Sequence, residues 1–176
     1  MDATEKTFEQ DVIAASAGEP VVVDFWAEWC GPCKALGPVL EEATTARGVK
    51  LAKVDVDSNP ALAGEYGISG IPAVKAFRHG HVVAEFVGAQ GRTAVDAFLD
   101  ELTKPPVAET IDDEEVAAAL AANDYERAFQ TLLARIDGDP AQKDAVRELM
   151  VALFGELGHE HPLTVQYRRR LASALY

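Results

Sequence analysis

At 176 residues and a formal net charge of −13, the chain is longer than one domain of ordinary size needs and short for two full ones. Its residues are 48% hydrophobic and 26% charged, the balance of a soluble globular protein. The acidity excludes nucleic acid as a partner, since little here could replace counterions along a phosphate backbone. No run approaches the ~20 apolar residues that span a bilayer. The start, Met1-Asp2-Ala3-Thr4-Glu5-Lys6, lacks the basic and apolar regions of a secretory signal. No membrane partner is expected, and the expected location is the reducing cytoplasm.

Along the chain, Phe8, Val12 and Ile13 predict a short helix over 7–16. Val21-Val22-Val23-Asp24-Phe25-Trp26 is β-branched and aromatic, which predicts a strand buried on both faces with Asp24 as its misfit. After Trp29-Cys30-Gly31-Pro32-Cys33, the residues Leu36, Val39, Leu40 and Ala43 recur at helical spacing, and Pro38 among them predicts a kink. A strand is expected over 51–56, closed by the turn Asp57-Ser58-Asn59-Pro60. A brief helix over 61–66 and the irregular Gly67-Ile68-Ser69-Gly70-Ile71-Pro72 follow. Segments 73–77 and 82–87 alternate around Arg78-His79-Gly80-His81, a hairpin signal, and 93–102 is an amphipathic helix. Strand, helix and strand, then a hairpin and a helix, predict an α/β domain with a mixed sheet.

Lys104-Pro105-Pro106-Val107-Ala108-Glu109 reads as a domain boundary, because paired prolines make a short stiff spacer. The expected division is a first domain over 1–104, a linker over 105–110 and a helical tail over 111–176. In the tail, Val116, Ala119 and Leu120 mark one helix, and Phe129, Leu132, Leu133 and Ile136 the next. Val146, Leu149, Met150, Leu153 and Phe154 mark a third, starting at Pro140. Leu163, Tyr167, Leu171 and Leu175 mark the last, with Pro162 near its first turn.

The two cysteines stand three positions apart, and in a reducing compartment they point to reactive chemistry rather than a structural staple. Directly after a buried strand and before a helix, Cys30 would occupy the helix N-terminus, where unpaired N–H groups and the helix dipole favour negative charge. That draws a thiol pKa down toward neutrality. Such a thiolate attacks a substrate disulfide and forms a mixed disulfide. Cys33, one helical turn on, lies within reach to resolve it. Gly31 and Pro32 fit the tight start of the helix, where the missing N–H of Pro32 would be unpaired anyway. The competing reading, half of a zinc site, needs two further ligands. The pairs His79/His81 and His159/His161 are the candidates, but each is flanked by turn-like sequence and expected on the surface, so no metal is expected.

Val-Asp-Phe-Trp-Ala-Glu-Trp-Cys-Gly-Pro-Cys-Lys, residues 23–34, resembles the thioredoxin active-site segment nearly letter for letter. Gly70-Ile71-Pro72 resembles the loop bearing that family's cis-proline, and Val87-Gly88-Ala89 its closing strand. The resemblance covers roughly 7–102. It departs from the family in the first edge strand, which is shortened or absent because only residues 1–6 precede Thr7. It implies the thioredoxin fold, a mixed sheet of four or five strands flanked by helices. It also implies protein-disulfide reductase activity with no bound cofactor beyond the redox-active Cys30–Cys33 disulfide, with electrons arriving from NADPH through a thioredoxin reductase.

By the same resemblance, Cys30 is the nucleophile and Cys33 the resolving thiol. Asp24 matches the family's buried acid; burial raises such a pKa and suits it to exchange a proton with Cys33. Lys53 resembles that acid's partner on the neighbouring strand. Trp29, Gly31, Pro32, Ile71, Pro72 and Gly88 match the substrate-contacting surface, with the backbone of Ile71 pairing with the client chain. Trp26 matches the apolar rim and reads equally as a core residue. The Gly-Pro dipeptide between the cysteines resembles the reducing members, so reduction of client disulfides is the expected direction.

In the tail, Asn123-Asp124-Tyr125-Glu126-Arg127-Ala128, with Leu132 and Pro140, resembles the second half of a tetratricopeptide repeat, although Arg135 stands where a small residue is usual. Combined with the first domain, the ending from His161-Pro162-Leu163 to Tyr167 and Leu171 resembles the thioredoxin–TPR co-chaperones, sometimes called chaperedoxins, with far fewer repeats. That implies unfolding client proteins and a chaperonin as partners. Because a lone repeat cannot bury its apolar face, the tail is expected to pack on the first domain, a second copy or a partner. Arg168, Arg169 and Arg170 are expected on a solvated face near a helix C-terminus, with docking to an acidic partner as the alternative.

Overall fold

Segments of β-branched and aromatic residues form four strands in the first of two units, Met1–Lys104. They are β1 (Val21–Trp26), β2 (Lys50–Asp55), β3 (Ala73–Arg78) and β4 (His81–Val87). The computed structural model describes residues 1–175, with Thr110 described by its backbone alone. The sheet order is β2-β1-β3-β4; β1 runs parallel to β2 and antiparallel to β3, and β3 antiparallel to β4. Between strands lie α1 (Gly31–Arg47) and α2 (Pro60–Glu65), and α3 (Arg92–Leu102) closes the unit. This is the thioredoxin fold, in which the parallel pair needs the α1 crossover and the hairpin does not.

The side chains of β1 alternate between two buried faces. Val21, Val23 and Phe25 pack with Phe8, Val12 and Leu62 on one side. Val22 packs with Leu36, Leu40, Val95 and Leu99 of α1 and α3 on the other. The fifth edge strand is reduced to one bridge between Asp2 and Lys53, where the Lys53 N–H donates to the Met1 carbonyl and the Ala3 N–H to the Lys53 carbonyl, both at 2.8 Å. The helix expected over 7–16 is wound differently: a π-helix, Glu9–Ala14, runs into a 3-10 turn, Ala15–Ala17. Phe8 and Val12 are buried all the same. Pro38 lies inside α1, where its missing N–H leaves the Lys34 carbonyl without its helical donor.

In the second unit, Pro105–Tyr176, the described residues form helices joined by short turns and no strand. It comprises α4 (Val107–Thr110), α5 (Glu114–Ala121), α6 (Tyr125–Gly138), α7 (Lys143–Leu157) and α8 (Pro162–Leu175). The stiff stretch is confined to Pro105 and Pro106, because Val107 is already in the core. That core is the unit's own. Phe129 stacks on Tyr167 with centroids 4.9 Å apart and meets Phe154 at 5.2 Å, among Leu132, Met150 and Leu153. The expectation that the tail must borrow a surface to bury its apolar stripes is therefore corrected, since α5 to α8 bury theirs against one another.

Arginines of the second unit take up local partners. Arg135, where a small residue is usual, reaches back to Asp113 at 3.2 Å and Glu115 at 3.4 Å. The three arginines lie in the middle of α8 rather than in its last turn. Arg168 contacts His159 and lies over the Phe154 ring, and Arg170 lies over the Tyr167 ring, so two of the three cover aromatic core residues.

Candidate active site

Strand β1 ends at Trp26, and the chain reaches α1 through Ala27, Glu28 and Trp29. Cys30 is the N-cap residue of α1, in extended conformation, and its sulfur accepts the Cys33 N–H at 3.2 Å. Pro32 lies in the first turn, where a missing donor costs nothing. Cys30 and Cys33 are joined in a disulfide, with Cα atoms 5.3 Å apart. Both are nearly buried, packed with Ala27, Trp26, Val56 and Ile71. Trp29, by contrast, is 71% exposed, and its indole Nε1–H donates to the Asp57 carboxylate at 2.7 Å. Gly31 and Pro32 are exposed beside it.

On the loop before β3, the Ile71–Pro72 peptide is cis. Its position is tied to β4, because the Gly88 N–H donates to the Pro72 carbonyl at 2.8 Å. Gly88 has φ +90°, a conformation that side-chain-bearing residues rarely adopt. Ile71 thus lies just beyond the end of the β3 ladder and in contact with the cysteine cluster.

Asp24 is 1% exposed, and its Oδ1 has no hydrogen-bond partner. Burial pushes its pKa up to about 6, against a downward pull from Lys53, and Glu41 pushes it further up. Lys53 is the register partner of Asp24 across β1 and β2. Its ammonium does not bond Asp24 Oδ1. Instead it donates to Glu41 on α1 at 2.8 Å and stands 5.4 Å from the centroid of the Trp26 ring. Two residues that sequence reasoning did not single out, Glu41 and Asp57, therefore touch site residues. Asp57 had one signal: it follows β2, parallel to β1, and so emerges at the same sheet end as Trp29.

The histidines take local roles. His79 and His81 belong to the β3–β4 hairpin, and His161 Nδ1 accepts the Leu163 N–H at 3.2 Å. Among the described residues no group of three or more His, Cys, Asp or Glu is placed to hold a metal ion. No helix among them is long and apolar enough to cross a membrane.

The family profile described as Thioredoxin matches residues 1–101, and a tetratricopeptide-repeat profile matches 90–176. Thioredoxin C-2 of Corynebacterium nephridii is 48% identical over 103 residues, spanning 57% of this chain and 94% of that protein. Thioredoxin of Pseudomonas aeruginosa is 45% identical over 102 residues, spanning 57% of this chain and 93% of the relative. Thioredoxin of Mycobacterium tuberculosis is 47% identical over 101 residues, spanning 56% and 85%. The chain belongs to the thioredoxin family, with a tetratricopeptide-type region after the thioredoxin domain. Members use a redox-active disulfide and no prosthetic group, act on disulfide substrates and are reduced by thioredoxin reductase. This chain is accordingly a thiol–disulfide oxidoreductase acting on proteins through its Cys30–Cys33 pair.

Proposed function

We propose that the chain works in the cytoplasm in the reducing direction, on disulfides of client proteins, with Cys30 as nucleophile and Cys33 as resolving thiol. The Cys30 thiolate attacks one client sulfur and expels the other, forming a mixed disulfide. Cys33 then gives its proton to Asp24 and attacks Cys30, releasing the second client thiol. Lys53 biases the charge of Asp24. Trp29, Gly31, Pro32, Ile71, Pro72 and Gly88 receive the client chain, with the backbone of Ile71 in a β-like contact.

The observation that carries this reading is the cap of α1. The Cys30 sulfur already accepts a backbone N–H at the helix N-terminus, the place where a negative sulfur is best stabilised. Insulin-disulfide reduction tests it. Cys30→Ser abolishes the activity, and full residual activity refutes the assigned nucleophile. Cys33→Ser retains clients as adducts that a small thiol releases, whereas recovering none counts against the two-step route.

The helical unit is proposed as an interaction tail of the co-chaperone kind, holding unfolding clients and passing them to a chaperonin. The repeat match supports this, as does a groove of about 580 Å³ lined by Leu133, Ala134, Arg169 and Arg170 between α6 and α8. Aggregation of an unfolding client is the measurement. Protection that survives removal of the residues after Lys104 unchanged sinks the tail's role and leaves the reductase standing.

A further inference from the structure

Asp24 follows Val22 by two residues, so its side chain leaves β1 on the face covered by α1 and α3. Lys53 is its register partner in the parallel pair. A lysine so placed is expected to bond the carboxylate, yet Asp24 Oδ1 is without a partner. The ammonium crosses α1 instead. A Cβ added at Gly37 would lie 3.7 Å from Lys53 Nζ, and Glu41, one turn further along α1, accepts that ammonium at 2.8 Å. Gly37 thus offers a bare position beneath the ammonium, and Glu41 the carboxylate that receives it. The Trp26 ring flanks the same ammonium.

From the other elements over this face, β3 presents Val74, and α3 presents Val95 and Leu99. Lys53 and Glu41 are the charged groups that act on it, and Cys33, at the start of α1, is held in the disulfide.

We propose that Glu41 is a positioning residue for the resolving step: by holding the Lys53 ammonium against α1, it leaves the Asp24 carboxylate unpaired and basic enough to take the Cys33 proton. This rests on the reductase reading above and adds the residue that tunes its base. In the mixed disulfide, the Cys33 proton passes to Asp24 as the Cys33 sulfur bonds to Cys30. The bond from Cys30 to the client breaks, and the client sulfur leaves with the electron pair and takes a proton from water. Asp24 then releases its own proton to solvent. An ammonium bonded directly to Asp24 stabilises the carboxylate and weakens it as a base. The direction of each influence agrees, since Lys53 lowers and Glu41 raises the affinity of Asp24 for a proton.

The test is the titration of the Asp24 carboxyl by carbon NMR in the oxidised full chain, its signal identified by its loss in Asp24→Asn. Glu41→Gln lowers the midpoint by about one pH unit, the low end of what an ammonium brought beside a carboxylate produces. Glu42→Gln, which removes the partner of Arg92, leaves the midpoint in place. In a Lys53→Met background the effect of Glu41→Gln shrinks to less than half. Release of an aromatic thiol from a preformed mixed disulfide on Cys30, followed at neutral pH, slows about threefold in Glu41→Gln. A midpoint that Glu41→Gln does not move, or a shift of equal size when Lys53 is absent, overturns the proposal. Because the carboxyl is read in the oxidised chain, these outcomes stand apart from insulin reduction by Cys30→Ser, which bears on the reductase reading alone.

Discussion

Helices α1 and α6 begin alike in geometry and unlike in chemistry. At the start of α6 the Asp124 carboxylate accepts the Arg127 N–H at 3.0 Å, and at α5 the Asp113 carboxylate accepts from Glu115 and Val116. At the start of α1 the acceptor is the sulfur of Cys30. Sulfur is the weaker acceptor, so α1 gives up part of the stabilisation that a carboxylate or hydroxyl cap provides. What it gains is a reactive atom at the helix end that most favours negative charge.

The buried polar groups of the two units differ in the same sense. Among the described residues, Asp24 Oδ1 in the thioredoxin unit and Thr164 Oγ1 in the helical unit are buried without partners. A lone hydroxyl costs a modest, constant amount, whereas a buried carboxyl changes its charge state instead. The redox unit places its unfavourable groups where the chemistry needs them. The helical unit spends its sequence on caps and core.

The sharpest way to break this contrast is to damage the helical core. Phe129 is fully buried between Tyr167 and Phe154, so Phe129→Ala costs about 3–5 kcal/mol. Urea unfolding then shows an early helical transition while insulin reduction persists. Loss of reductase activity in step with that transition would end the picture of two separately built units.

Next in size is Asp24→Asn. Burial pushes the folded carboxyl up to about 6 from its ordinary 3.8, so between those pH values the folded chain binds more protons than the unfolded one. Stability therefore falls as pH rises through that window, and the ionised Asp24 burdens the fold at neutral pH. Removing it stabilises the oxidised chain at pH 7 by on the order of 3 kcal/mol, and the gain disappears near pH 4. A variant equally or less stable than the parent at pH 7 in urea melts would contradict the buried charge. The smallest effect is at the cap of α6, where Asp124→Ala costs about 1 kcal/mol and Asp124→Asn almost nothing, read from the midpoint of the helical transition.

Much of the first unit was legible because its signals are local. The apolar run of β1, the helical spacing after Cys33 and the Gly80 hairpin each concern residues adjacent in sequence or one turn apart. The Ile71–Pro72 bond is cis, as the resemblance implied. Less legible were features that depend on a distant neighbour. Val107 looked like part of a spacer, but packing drew it into the helical core. Arg135 looked like a flaw in the repeat until α5 brought Asp113 within 3.2 Å. The self-contained core of the tail is not legible from a single repeat, because the apolar stripes of α7 and α8 complete the burial.

The sequence by itself determined the redox pair. Two cysteines three positions apart at a strand-to-helix junction meet across the first helical turn wherever that turn is placed. The balance of charges around Asp24 was decided by tertiary structure. It depends first on burial and then on the Lys53 ammonium, which is received by Glu41, twelve positions away in the chain. Packing of α1 over the sheet brings the two together, because electrostatic influence follows distance in space rather than order along the backbone.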